Sequence, residues 1–106
     1  MPWYAIRSVY LFSSEPDGTN VFEERIVVFE ADDWDGALQK GKSEAETYAD
    51  ECGFERHSAQ VGYEQDGDAL IDGYEVWSEL FQSTQSLPEF YHSRYVAVAH
   101  HPRRTV

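Results

Sequence analysis

The apolar positions divide the chain into segments with two different periods. Over residues 3–12 they alternate at a period of two. Tyr4, Ile6, Tyr10 and Phe12 fall on one face, and Trp3, Ala5, Val9 and Leu11 on the other. β-branched and aromatic residues suit a pleated surface, and two apolar faces predict a strand covered on both sides. Residues 13–20 carry Pro16 and Gly18; a preset φ followed by a permitted positive φ makes a turn. Alternation resumes over 21–30. Phe22, Glu24, Ile26 and Val28 lie on one face, and Val21, Glu23, Arg25, Val27 and Phe29 on the other. Two such runs about a short loop predict a hairpin.

Beyond residue 30 the period lengthens to that of a helix. Asp32 or Asp33 serves as its cap, and Asp35 complements the positive end of the dipole. Trp34, Ala37, Leu38, Gly41, Ala45, Tyr48, Ala49 and Cys52 follow helical spacing. Small residues at 41 and 45 let this face approach a sheet closely, and Gly53 suits a left-handed terminus. Lys40, Lys42, Glu44, Glu46, Asp50 and Glu51 form the opposite face, expected in solvent. Cys52, on the apolar face, reads as a small core residue.

A third strand is expected over 57–65, with Ala59, Val61 and Tyr63 inward, then a turn at 66–68. A fourth is expected over 73–82, where Tyr74, Val76, Ser78 and Leu80 alternate with Glu75, Trp77, Glu79 and Phe81. Ser86 and Glu89 have capping-box spacing before a short helix holding Phe90, Tyr91 and Tyr95. Residues 95–99 suit a short strand, and 100–106 a polar tail.

The order strand, strand, helix, strand, strand, short helix predicts an α+β domain over residues 1–99. Its antiparallel sheet has four to five strands, with one main amphipathic helix packed on one face. The second face carries Trp, Val, Leu and Phe. The C-terminal segment or a second copy must cover it, which makes a homodimer an expectation.

Composition narrows the function classes. Aromatics make up 15% of 106 residues, enough to anchor one modest core. Acidic residues number 20 and basic residues 8, for a formal charge of −12. That balance disfavours nucleic acid and anionic membrane surfaces, and it steers a basic partner inward. A single cysteine excludes an internal disulfide. No basic start precedes an apolar run, and no apolar stretch has the length of a membrane span, so a cytoplasmic address is expected.

Three stretches resemble the uncharacterised bacterial family called domain of unknown function 4288. They are Met1-Pro2-Trp3-Tyr4-Ala5, the run Val21-Phe22-Glu23-Glu24-Arg25-Ile26-Val27-Val28-Phe29 with a helix soon after, and Val76-Trp77-Ser78-Glu79-Leu80. The resemblance covers most of residues 1–96; the apolar-poor loop at 66–73 and the basic tail depart from it. It implies no established activity. In size and charge such chains are similar to immunity proteins that neutralise toxins, an analogy only.

Glu23-Glu24-Arg25 is the most informative local feature. Neighbouring strand residues point to opposite faces, so Glu23 and Glu24 cannot share a site. Glu24 sits among Phe22, Ile26 and Val28. It is a candidate buried carboxylate that binds a cation or pairs with Arg7 or Arg25; the plainer alternative is an exposed edge residue. Glu79, beside Trp77 and Phe81, offers a carboxylate among aromatics, or ordinary alternation. His57, His92, His100 and His101 lack ligand spacing. Asp66, Asp68 and Asp72 lack a calcium-loop pattern, and no catalytic motif is recognised. No metal, cofactor or catalytic residue is therefore expected.

The reading is a binding protein, most concretely an immunity-like inhibitor of a basic toxin or nuclease, with Glu23, Glu75, Trp77 and Glu79 as contacts. A homo-oligomeric ligand-binding or regulatory domain is the alternative. An enzyme using a strand carboxylate is the third, and it lacks a second positioned group.

Overall fold

The computed structural model describes residues 2–65, 72–73, 76–77, 80 and 82–97. The alternating N-terminal runs form the antiparallel pair β1 (Trp3–Ser14) and β2 (Asn20–Glu30), in register from Trp3↔Glu30 to Leu11↔Phe22. The register then shifts between Leu11 and Ser13, leaving Phe12 as a bulge. In the turn, Gly18 has φ 90° and donates its N–H to Glu15 O, and Asp17 Oδ1 accepts from Thr19 N and Oγ1. A side chain at that positive φ would be strained, which explains the glycine.

Helix α1 (Trp34–Cys52) packs on one face of the hairpin. Asp33 caps it by accepting from Gly36 N at 2.8 Å, and Gly53 ends it in the left-handed region. The buried stripe Ala37, Gly41, Ala45, Ala49 advances in steps of four and lies over Tyr4, Ile6 and Tyr10 of β1. At Gly41 a Cβ would sit 3.0 Å from Ile6 Cγ2, so the absent side chain sets how close helix and sheet come. Full burial of Ile6 contributes about 1.5–3 kcal/mol. Cys52 corrects one expectation: it lies past the end of the stripe and is exposed.

β1 is the central strand. Its second edge pairs antiparallel with β3 (Glu55–Arg56) and β4 (Val61–Glu64). The strand expected over 57–65 is thus broken in two. Gln60 Nε2 donates to the buried Ser8 hydroxyl at 2.8 Å, and Ala59 N donates to His57 Nδ1, so 58–60 loop out. The register on β1 moves by two residues across that loop, and an even step keeps the side-chain faces in phase. Gly62 is required because the Trp34 ring lies over it: a Cβ there would collide with ring atom Cζ3.

Among the described residues, four antiparallel strands, the long helix and the short helix α2 (Leu87–Tyr91) make an α+β fold. Ser86 and Glu89 form the expected capping box. A π-helical segment, His92–Val96, continues α2, so Tyr95 and Val96 are helical and not the start of a strand. The strand expected over 73–82 falls largely outside the described residues; Val76, Trp77 and Leu80 carry no ladder. The tail 100–106 also lies outside them. No described helix is long and apolar enough to cross a membrane.

Candidate functional site

The alternation of β1 and β2 gives the sheet two chemically different faces. On the helix side, Arg25 and Glu23 of β2 meet the C-terminal half of α1. Arg25 Nη1 donates to both Glu44 oxygens, at 2.5 and 2.7 Å, and its guanidinium lies 3.8 Å from the Tyr48 ring centroid. Glu44 thereby holds the guanidinium above its ordinary value. Tyr48 donates its hydroxyl to Glu23 Oε1 at 2.7 Å; that bond, and then burial, push the phenol up to about 12. Tyr10 packs edge-on against Tyr48 at 5.0 Å, and its buried hydroxyl has no hydrogen-bond partner among the described residues. A shallow depression of ≈ 340 Å³ opens beside this network, lined by Arg25, Ser43, Glu44, Thr47, Tyr48 and Glu51. Of its lining charges, Arg25 and Glu44 satisfy one another.

The other face is exposed at Phe22, Glu24, Ile26 and Val61 and closed at Ala5, which is buried, and the register orders it in rows across the sheet. Phe22 stands beside Leu11, Glu24 beside Val9, Ile26 beside Arg7 and Val61, and Val28 beside Ala5 and Tyr63. Phe22 is 64% exposed, Ile26 44% and Val61 45%. Large apolar side chains that remain exposed together on one sheet face mark an interaction surface more often than scattered ones do. Trp77 covers part of this face: the Arg7 guanidinium lies 5.2 Å from its ring centroid, and the Tyr63 ring packs tilted against it at 6.0 Å.

The residues singled out from sequence separate accordingly. Glu23 faces α1 and is held by Tyr48, whereas Trp77 lies over the opposite face, so the two do not form one surface. Glu75 and Glu79 lie outside the described residues. Glu24 corrects the expectation of a buried carboxylate: it is exposed and makes no ion pair among the described residues. Arg25 cannot serve it because the pleat sends Arg25 to the other face. Sequence reasoning missed the bond between Arg25 and Glu44, since Glu44 was assigned to the solvated face. Its spacing of four from Tyr48, which lies on the apolar stripe, is the signal that would have suggested a half-buried position. Among the described residues no group of three or more His, Cys, Asp or Glu could hold a metal ion.

The family model for domain of unknown function 4288 matches residues 3–84, and the chain belongs to that family. No curated protein and no solved structure matches the chain.

Proposed function

We propose that this member of the domain of unknown function 4288 family is a recognition protein whose open sheet face binds a basic protein partner. The observation that carries this is the exposure of Phe22, Ile26 and Val61 around Glu24, on a chain of formal charge −12. Apolar anchors supply affinity at such a surface, and the surrounding negative potential steers and selects a cationic partner. The ionisable groups on the helix side are engaged in holding α1 to the sheet, which favours a structural role for them over turnover. An immunity-like inhibitor that occludes the basic site of a toxin or nuclease is the most concrete form of this function.

The same apolar face would serve a seam between two copies, which is the second form. Two chains of like charge repel one another, and this favours the basic partner.

A photo-crosslinking residue placed at position 26 or at position 50 separates the possibilities in the native host. Asp50 is exposed on the outer side of α1. Position 26 is expected to capture a basic protein, in a yield that falls as salt rises, and position 50 is not. Capture from position 50 alone would overturn the proposal, and so would crosslinks at position 26 to this chain only.

A further inference from the structure

We infer that the outer edge of β2 accepts an extended basic strand of the partner, in the pattern apolar–x–basic–x–apolar, which adds a strand to the sheet. This rests on the proposed recognition function and specifies how the partner is held.

The edge itself is visible in the topology. The strand order places β2 at the margin, paired only with β1, and no described residue pairs with its other side. β2 is 11 residues long and contains neither proline nor lysine, two of the residues that usually protect such an edge.

The phase of the ladder shows which backbone groups face outward. Ala31 N donates to Pro2 O, so residues 2 and 31 are a hydrogen-bonded pair. Such pairs alternate along an antiparallel ladder. The pairs 4/29, 6/27, 8/25 and 10/23 are therefore bonded as well, through the established register. The opposite edge of β1 agrees: Gln65 N donates to Trp3 O, and His57 N to Val9 O, so its odd residues point away from β2. The outward N–H and C=O groups of β2 thus belong to Phe22, Glu24, Ile26 and Val28. These same residues place their side chains on the open face.

Charge selects the occupant. An added strand sets one side chain beside Glu24 and one on either side, beside Phe22 and Ile26. Glu24 is exposed and asks for a cation there; Phe22 and Ile26 ask for apolar residues. A second copy fits less well. The two-fold pairing that sets Phe22 against Ile26 also sets Glu24 against Glu24. Pairing centred on Arg25 opposes two guanidinium groups, and pairing centred on Ile26 sets Glu23 against Phe29. Strand addition of this kind draws affinity from main-chain bonds and specificity from alternate side chains.

The probe is the blocked peptide Thr-Val-Thr-Lys-Thr-Val-Thr, with a version carrying Glu in place of Lys. Each is added to the isotope-labelled full chain while amide exchange is followed by NMR. In the free protein the amides of Phe22, Glu24, Ile26 and Val28 should exchange rapidly, and those of Glu23, Arg25 and Val27 slowly. The Lys peptide should protect the four outward amides. The Glu peptide should bind on the order of tenfold more weakly, because it replaces a favourable cross-strand pair with a like-charge one. Glu24→Lys should reverse that preference, and Glu24→Gln should largely abolish it. Outward amides already protected in the free chain would overturn the inference, as would equal binding of both peptides. Binding that shifts the side-chain signals of Phe22 and Ile26 without protecting edge amides would also overturn strand addition, while leaving recognition by the open face intact. No perturbation of either would count against both.

Discussion

At the scale of the residue, Tyr48 is held by four neighbours. Its ring stacks on Arg25 and against Tyr10 and Phe54, and its hydroxyl is committed to Glu23. The phenol, ordinarily at 10.0, is pushed up to about 12 because ionising it would place a phenolate beside a carboxylate. The unfolded chain therefore loses this proton first as pH rises. The stabilisation is complete below pH 10 and is lost between about 10 and 12. Tyr48→Phe should cost about 0.5–1.5 kcal/mol near neutrality by removing the bond to Glu23. It should also flatten the decline of melting temperature with pH across that alkaline window. Thermal melts of both proteins from pH 8 to 12 test this; parallel declines would show that the Glu23 bond does not control the phenol.

At the scale of the element, β2 is defined by which of its amides the ladder uses. Val27 N–H is committed to β1, whereas Ile26 N–H points outward. Proline removes the N–H, so its effect should follow this phase. Ile26→Pro should leave the fold intact with a modest loss of melting temperature. Val27→Pro should strand a carbonyl of β1 at about 1–3 kcal/mol, with each kcal/mol worth roughly 4–8 °C in a domain of this size. Equal melting temperatures would contradict the assigned phase. The hairpin, the main helix, its C-terminal Gly53 and the Ser86–Glu89 box were legible from sequence because each rests on local chemistry, as was the main helix's N-cap to within the pair Asp32 and Asp33. The broken third strand was not. It is broken at a contact between Ser8 and Gln60, 52 residues apart, and no local pattern encodes such a partner. Arg25 and Glu44, 19 residues apart, were hidden for the same reason. The alternation did assign Glu24 to the face opposite Arg25; that this face is open, and Glu24 exposed, is settled only by the side to which α1 docks.

At the scale of the whole molecule, the helix closes one side of the sheet, and the other side keeps its exposed apolar residues at β2 and Val61. The helix side is a small-residue stripe over Ile6, extended by a satisfied network of Glu23, Arg25, Glu44 and Tyr48. The open side keeps Phe22, Ile26 and Val61 in solvent around Glu24, with Trp77 over Arg7. On a chain of charge −12, Arg25 is held by Glu44 against the helix, and the exposed apolar side chains of the opposite face are the anchors on which the proposed recognition rests. The most direct measurement is calorimetric affinity for the basic protein captured at position 26. It compares wild type with the double variant Phe22→Ser/Ile26→Ser and with Asp50→Asn on the outer side of α1. Recognition through the open face predicts a loss of about a hundredfold or more in the first variant, as expected for anchor residues, and only a small, salt-dependent change in the second. Undiminished binding by the first variant, with the loss appearing in the second, would contradict it.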